Sequence, residues 1–236
     1  MELHLIVTFL ILVGLELVLG IDNILLVSVI SDRCAEEHRD RTRKLGILLA
    51  AVGRLGLLTG VTWVMRLTTP VFTVADQPVS WKDLILILGG LFLLFKAVKE
   101  MHHAVELPHG EAHEGKKAVA TPVGSAIAQI LVLDLVFSID SVITAVGLTQ
   151  ETWVLYGAVL SSVVLVLTIS GPIAGFIRRN PSLKVLALAF LIVIGVTIML
   201  EGMHHEVPKT YVYLPLGFCL LVELLQMRQA KKISGK

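Results

Sequence analysis

Four acidic residues lie within two long apolar segments of this 236-residue chain. Glu16 and Asp22 fall near the middle of the first apolar segment, and Asp134 and Asp140 fall near the middle of the fourth. Placing one charged side chain at the centre of a bilayer costs at least about 2.5 to 3.5 kcal/mol on insertion scales. Four such groups therefore need a bound cation, protonation or a basic partner to offset this cost.

Neutral oxygen ligands stand directly after the second acid of each pair, because Asn23 follows Asp22 and Ser141 follows Asp140. Carboxylate, amide and hydroxyl oxygens are hard ligands that suit Mg²⁺, Ca²⁺ or Mn²⁺, whereas Zn²⁺ and copper favour imidazole or thiolate. The pattern predicts a site for a divalent cation. The alternatives are a hydrogen-bond network between membrane helices and a proton relay. The candidate metal ligands are Glu16, Asp22, Asn23, Asp134, Asp140 and Ser141.

The spacing of the acids predicts an interruption of each helix. Positions seven apart share a face of a regular helix, so Glu16 aligns with Asn23, whereas Asp22 points about 120° away from Glu16. An unbroken helix would not aim both acids of a pair at one ion. We therefore expect local unwinding at Gly20 and at Ser138, with backbone carbonyls exposed as further ligands.

Two basic residues inside apolar segments are candidate counter-charges for these acids. Arg54 lies near the centre of the second segment, and Lys96 lies towards the end of the third. Either could pair with an acid and be displaced by the cation. An internal salt bridge is favoured for the deeper Arg54, whereas snorkelling to the lipid headgroups is an equal alternative for Lys96.

Apolar segments long enough to cross a bilayer hold all of these residues. The chain is 55% hydrophobic with a mean hydropathy of +0.83, more than a soluble domain of this length needs for its core. Apolar runs of about 20 residues indicate helices rather than barrel strands. We predict an all-α polytopic membrane protein that forms one transmembrane domain over residues 1–236. Its seven transmembrane helices lie at about 5–30, 45–67, 83–102, 123–148, 153–177, 184–202 and 211–227.

The two halves of the chain resemble each other. Residues 15–23, LELVLGIDN, match residues 133–141, LDLVFSIDS, at a constant offset of 118, and Met-His-His recurs at 101–103 and 203–205. Because each unit has three helices, the second unit enters the membrane from the other side, which predicts a 3+3 inverted-topology repeat. Repeat one covers about 5–106, repeat two about 123–209, and an extra seventh helix about 211–227.

The charges between the segments predict the orientation. Alternating the loops between the two sides gives fifteen Lys and Arg residues on one side and only Arg66, Lys82 and Lys209 on the other. The positive-inside rule then places the N-terminus outside and the C-terminus in the cytoplasm. No phosphate-binding loop, nucleophile elbow or metalloprotease motif occurs, so we expect no enzyme, no cofactor and no nucleic-acid partner.

The predicted cytoplasmic loop after the third segment is rich in His and Glu. Residues 101–114 hold four His and three Glu, including the His-rich stretch 102–113. Their spacing is irregular, and Pro and Gly favour a loop, so a solvated linker is preferred over a metal-binding role.

The sequence resembles the TerC family of integral membrane proteins, which is related to the lysine exporter superfamily. The resemblance runs from about residue 5 to 227 and is carried by Leu15-Glu16 with GIDN at 20–23, LDLVFSIDS at 133–141, GGLFLLFK at 89–96, and Pro208-Lys209 with Tyr211. It implies Mn²⁺ efflux across the bacterial inner membrane, with a historical association with tellurium resistance. It also implies that the six candidate ligands above bind Mn²⁺.

We therefore expect a divalent metal cation transporter that exports Mn²⁺ by alternating access around the midplane acids. The membrane potential opposes this export by about 4.6 kcal/mol per 100 mV, so inward proton flow or a steep gradient must drive it. The alternatives are an exchanger of Ca²⁺ or another divalent cation for protons, and a non-transporting membrane scaffold in stress resistance. Besides the metal ion, the expected partners are the lipid bilayer and coupling protons, and a homodimer is left open.

Overall fold

The computed structural model of this chain describes residues 2–74, 77–106, 120–149, 151–205, 207–208 and 210–233. Within these ranges the chain forms eight α-helices and one two-stranded hairpin. The helices are α1 Glu2–Ser31, α2 Glu36–Thr59, α3 Val61–Arg66, α4 Trp81–Glu106, α5 Val123–Leu148, α6 Thr152–Arg179, α7 Pro181–Gly202 and α8 Thr210–Ile233; the strands are β1 Pro70–Val74 and β2 Gln77–Ser80.

Each of the seven predicted apolar segments is helical, but the second differs in its bounds. Gly60 is a turn residue that separates α2 from the short α3. In addition, α2 begins at Glu36, well before the predicted start at 45. Glu36 and Glu37 lie in its first turn, where negative side chains interact favourably with the helix N-terminus. The charged stretch that we assigned to a loop is therefore the first part of the helix, and Arg43 within it is buried.

The chain is mostly helical, as expected, but a short hairpin that was not predicted lies between α3 and α4. There β1 and β2 pair antiparallel, with Phe72 opposite Val79 and Thr73 opposite Pro78. Aromatic and β-branched residues favour extended backbone, and strand β1 consists largely of these types. The hairpin was missed because each strand is too short to give a clear alternation of apolar and polar residues.

The start of α4 is fixed by a reciprocal cap between Ser80 and Asp83. The Asp83 carboxylate accepts hydrogen bonds from the Ser80 backbone N–H and hydroxyl, both at 2.7 Å. The Asp83 N–H in turn donates to the Ser80 hydroxyl at 3.3 Å. This capping box satisfies two backbone donors at the helix start. It also places Lys82 in the first turn of α4.

In the part of the chain that the structure describes, four helices are long and apolar enough to cross a membrane: α5, α6, α7 and residues Thr210–Gln229 of α8. In α1 the qualifying stretch within the described residues is shorter, at Leu5–Gly14. Many large apolar side chains on these helices are exposed, as a lipid-facing surface requires. The chain is a mostly helical protein with the features of a polytopic membrane protein.

The chain divides into two compact units. Unit 1 contains Met1–Ile85 and Gly115–Gly175, and unit 2 contains Leu86–Glu114 and Phe176–Lys236. The core of unit 1 is an apolar cluster from α1, α2, α3, α5 and α6. Its buried members are Leu12, Leu58, Val64, Val142, Val154, Leu155, Ala158 and Val159.

In unit 2, α4 and α7 approach closely at a pair of glycines. A Cβ on Gly90 would lie 2.7 Å from the Gly195 carbonyl oxygen, and a Cβ on Gly195 would lie 3.1 Å from the Gly90 carbonyl oxygen. The contact is thus reciprocal, and small residues are what permit such close packing of membrane helices. Gly90 and Gly195 therefore serve the packing of α4 against α7.

The repeated Met-His-His triplets adopt different conformations. Residues 101–103 lie inside α4, which continues to Glu106, whereas residues 203–205 leave α7. There the His205 N–H donates to the Leu200 carbonyl at 2.9 Å and the His204 N–H donates to the Glu201 carbonyl at 3.0 Å. This is the Schellman arrangement of a helix C-terminus. It places His204 at a φ of 61°, in the left-handed region.

Replacing His204 with glycine should stabilise the protein by about 1 kcal/mol, because glycine occupies the left-handed region without the steric penalty of a Cβ. The measurement is the unfolding free energy of the purified chain in detergent. His103→Gly is the matched control, since His103 is inside a helix where glycine is unfavourable. Equal effects of the two substitutions would contradict this account of the α7 terminus.

Candidate functional site

Arg54 of α2 is buried between two acidic residues that come from different helices. Its Nη1 pairs with Glu16 Oε2 of α1, and its Nη2 lies 3.0 Å from Asp134 Oδ1 of α5. Glu16, Arg54 and Asp134 are only 5%, 7% and 8% exposed. Two carboxylates thus share one guanidinium, so the group keeps a formal charge of −1 when all three are ionised.

Two polar side chains complete this group. Ser138 accepts a hydrogen bond from Arg54 Nε at 3.1 Å and donates one to Asp134 Oδ2 at 3.0 Å. Asn23 Nδ2 donates to Asp134 Oδ1 at 3.2 Å. Every guanidinium nitrogen of Arg54 therefore contacts an oxygen, which is what a buried charge requires. We call Glu16, Asn23, Arg54, Asp134 and Ser138 the Arg54 cluster.

The two acids of the Arg54 cluster occupy matching positions of the sequence repeat. Asp134 follows Glu16 by 118 positions, the same offset that aligns residues 15–23 with 133–141. The expectation that Arg54 forms an internal salt bridge is confirmed. The alignment of Glu16 with Asn23 on one helix face is confirmed as well, because both line the same cavity.

A small cavity of about 40 Å³ adjoins the Arg54 cluster. Since one water molecule needs about 10 to 15 Å³ of cavity volume, the space suits a few water molecules or a small ion with part of its hydration shell. Asn23 Oδ1 is buried here without a hydrogen-bond partner among the described residues. The wall holds Glu16, Gly20, Asn23, Val27, Ile47, Ala50, Ala51, Arg54, Asp134, Ser162, Val163 and Val166.

The predicted unwinding of the two acid-bearing helices was wrong. Helix α1 runs without interruption through Gly20, and α5 runs without interruption through Ser138. The Gly20 position is instead a close contact, because a Cβ there would lie 3.0 Å from a methyl group of Val166. Ser138 uses its hydroxyl rather than its backbone. Arg54 pairs with both Glu16 and Asp134 while α1 and α5 stay helical.

The second acid of α5 lies apart from the Arg54 cluster. Asp140 Oδ1 forms an ion pair with Lys82 Nζ at 3.0 Å, and both side chains are 23% exposed. Six residues along a helix place Asp140 about 9 Å from Asp134 along the axis and about 120° around it. Ser141 is buried and donates its hydroxyl to the Ser138 carbonyl at 3.2 Å. The structure therefore brings together three of the six candidate ligands, Glu16, Asn23 and Asp134.

The other candidate residues are not described as members of the Arg54 cluster. The side chain of Asp22 lies outside the described part of the chain, as do His109 and His113 of the His-rich loop. Lys96 lies in α4 of unit 2 and is half-buried. In the residues that the structure describes, no three His, Cys, Asp or Glu side chains gather as a metal-binding group. Metal ligation by the six-residue set stays a prediction.

Lys82, the partner of Asp140, is a residue that the sequence interpretation missed. It had been counted only as a loop charge, and no pattern in the sequence links it to Asp140. The capping box at Ser80 and Asp83 is the local signal that a helix begins there. That signal fixes where Lys82 lies in its own helix but not what it faces.

Neutralising Lys82 should have a small effect on stability. A part-exposed ion pair contributes about 0.2 to 1 kcal/mol and is weakened by salt. A double-mutant cycle with Lys82→Gln and Asp140→Asn, read from unfolding in detergent at low and high salt, measures this coupling. Lys44→Gln, at an exposed lysine of α2, is the control. A coupling that salt does not change would contradict the assignment of a solvent-accessible pair.

Comparisons with known proteins place the chain in a family. Residues 1–235 match the family model of the integral membrane protein TerC family. The chain is 45% identical over 218 residues to the UPF0053 inner membrane protein YgdQ of Escherichia coli K12, covering 92% of this chain and 90% of the relative. It is 40% identical over 220 residues to a UPF0053 protein of Haemophilus influenzae, covering 93% and 92%.

A longer relative shares the same region. The UPF0053 inner membrane protein YoaE of Escherichia coli K12 is 41% identical over 213 residues, which cover 90% of this chain but 41% of the relative. No solved structure matches the chain significantly. The family match extends over almost the whole sequence and includes both acid-bearing helices. The chain therefore belongs to the TerC family of integral membrane proteins.

Proposed function

We propose that the chain is a secondary transporter that exports a divalent metal cation, with Mn²⁺ as the first candidate, by alternating access around the Arg54 cluster. The observation that carries this proposal is the sharing of one buried guanidinium by Glu16 and Asp134, two acids at matching repeat positions. Buried ionisable groups in a membrane protein are expensive and mark ion pathways.

In this proposal a divalent cation and Arg54 compete for the same carboxylates. A cation of charge +2 neutralises Glu16 and Asp134 fully, whereas the guanidinium leaves a formal charge of −1. Asn23 Oδ1, which has no hydrogen-bond partner among the described residues, supplies a neutral oxygen at the cavity. Carboxylate and amide oxygens are ligands that Mn²⁺ and Ca²⁺ accept. After the cation is released, Arg54 pairs again with the two carboxylates, and the site returns to the arrangement described above.

The proposed architecture has seven transmembrane helices arranged as a 3+3 inverted repeat plus α8. Seven of the described helices have 22 residues or more, which supports this architecture, as does the meeting of repeat-equivalent acids at one arginine. The reciprocal Gly90 and Gly195 contact within unit 2 is the kind of pairing that a two-fold axis generates. We place the chain in the bacterial inner membrane by analogy with the Escherichia coli relative, which is described as an inner membrane protein. The excess of Lys and Arg on one side of the predicted helices is the basis for proposing that the N-terminus lies outside.

A second candidate function is a non-transporting scaffold in which the Arg54 cluster only joins helices. This alternative is favoured because each guanidinium nitrogen of Arg54 has an oxygen partner on another helix, and buried networks of this kind fix helix packing. A third candidate function is an exchanger of Ca²⁺ or another divalent cation for protons. These alternatives differ in whether ions move and in which ions move, so a flux measurement separates them.

The test is uptake of Mn²⁺, Ca²⁺ and Zn²⁺ into proteoliposomes that contain the full chain. We expect Mn²⁺ flux in the wild type and its loss in Glu16→Gln and in Asp134→Asn. The control is Glu37→Gln, whose parent side chain is 77% exposed and remote from the cavity lining. Absence of flux for all three ions would refute transport and favour the scaffold. Flux that survives both acidic substitutions would refute the site.

A further inference from the structure

A groove separates the ends of α6 and α8 in unit 2. It has a volume of about 700 Å³ and is lined by residues from the last turn of α6, by Asn180 that follows it, and by residues from the middle and second half of α8. Volumes of about 300 to 1,000 Å³ are typical of sites for small organic ligands. The lining residues are Phe176, Arg179, Asn180, Leu221, Leu224, Leu225, Met227 and Arg228.

The groove is amphipathic, with apolar walls and two arginines. Phe176, Leu221 and Leu225 are 45%, 55% and 55% exposed, so their apolar surfaces are not covered by the rest of the chain. Arg179 and Arg228 are also exposed. Among the described residues, no carboxylate forms an ion pair with either arginine. The groove thus offers two guanidinium groups next to an apolar surface.

The position of the arginines along their helices matches the level of lipid headgroups. Arg179 is the last residue of the α6 span Thr152–Arg179, and Arg228 lies one residue before the end of the α8 span Thr210–Gln229. Because both line one groove, these two span ends lie on the same side of the membrane. Basic pockets between helices at this level bind anionic headgroups, and arginine forms bidentate bonds with phosphate.

We propose that this groove binds an anionic phospholipid, with Arg179 and Arg228 holding the phosphate of the headgroup. Phe176, Leu221 and Leu225 contact the upper part of the acyl chains. A free phosphate ion would use the arginines but would gain nothing from the apolar wall. A zwitterionic phospholipid offers the same phosphate and acyl chains, but its choline group would be repelled by the two arginines, so it should bind more weakly.

The test is a titration of the purified full chain in detergent with dioctanoyl phosphatidylglycerol, dioctanoyl phosphatidylcholine and inorganic phosphate, measured by calorimetry. We expect saturable binding of phosphatidylglycerol and weaker binding of phosphatidylcholine. Arg179→Gln with Arg228→Gln should weaken the anionic lipid about 30-fold, since each arginine near an anionic surface contributes about 1 kcal/mol and 1.4 kcal/mol is tenfold. Both arginines are exposed, so the variant should fold.

The matched control is Arg41→Gln with Lys44→Gln, which removes two exposed charges from α2 and should leave lipid binding unchanged. Leu225→Trp, which fills the apolar wall, should weaken phosphatidylglycerol without changing the net charge. Equal binding of the two lipids would overturn the proposal, and so would tight binding of inorganic phosphate alone. A change in oligomeric state with no lipid preference would show instead that a second copy of the chain occupies the groove.

Discussion

Replacing Arg54 with glutamine should lower the unfolding free energy by about 3 to 5 kcal/mol, the loss typical of a buried ion pair that loses one partner. Glutamine removes the charge that Glu16 and Asp134 share, and both carboxylates stay nine-tenths buried. The cost therefore comes from two uncompensated acids rather than from one lost contact. The measurement is unfolding of the purified chain in detergent at neutral pH.

Two variants show whether the charge is the cause. Adding Glu16→Gln and Asp134→Asn to the Arg54 variant should restore much of the lost stability, because the acids no longer need a counter-charge. Arg66→Gln, at an exposed arginine at the end of α3, should change stability by at most about 0.5 kcal/mol. An Arg54 variant as stable as the Arg66 variant would contradict the described burial of this ion pair.

Replacing Gly90 with alanine should destabilise the protein by about 1 to 3 kcal/mol, the usual effect of overpacking. The added methyl group would lie 2.7 Å from the Gly195 carbonyl oxygen and 2.8 Å from the Met199 amide nitrogen. Both are backbone atoms, so the steric clash is removed only if α4 and α7 move apart. Unfolding in detergent measures the effect.

Gly53→Ala is the control for this substitution. Gly53 lies in α2, and a Cβ there would have no neighbour within 4 Å. Alanine should therefore stabilise the helix by about 0.5 to 1 kcal/mol through its higher propensity. Opposite signs at the two glycines are expected, and equal signs would show that α4 and α7 are not in close contact at Gly90.

The long helices could be predicted from sequence because their apolar runs exceed 20 residues and are separated by charged loops. Helix α5 has the bounds that were expected, Val123–Leu148. The bounds of α2 were less predictable because its first turns carry charged residues and resemble a loop. The hairpin of β1 and β2 was missed because hydropathy identifies long segments, whereas short strands depend on pairing with a neighbour.

The Arg54 cluster was partly predictable. Intramembrane acids and an intramembrane arginine must find partners, so an internal salt bridge followed from charge alone. The sequence could not say that Glu16 and Asp134 would share the same arginine, or that Ser138 would join them through its hydroxyl. Those contacts depend on how α1, α2 and α5 rotate about their axes, which periodicity does not determine.

The separation of Asp140 from the Arg54 cluster has a simple geometric reason. The unwinding that was expected at Ser138 would have turned Asp140 towards Asp134, but α5 stays helical there. A regular helix holds residues six apart on different faces. Asp140 then pairs with Lys82, which the hairpin and the capping box bring to the start of α4.

Binding of Mn²⁺ by the purified chain, followed through the paramagnetic resonance signal of free Mn²⁺, tests most directly whether Glu16 and Asp134 form a cation site. We expect one saturable site in the wild type and in Glu37→Gln. We expect an affinity at least about tenfold lower when Glu16→Gln and Asp134→Asn are combined. Equal Mn²⁺ binding by the wild type and the double variant would contradict the proposal.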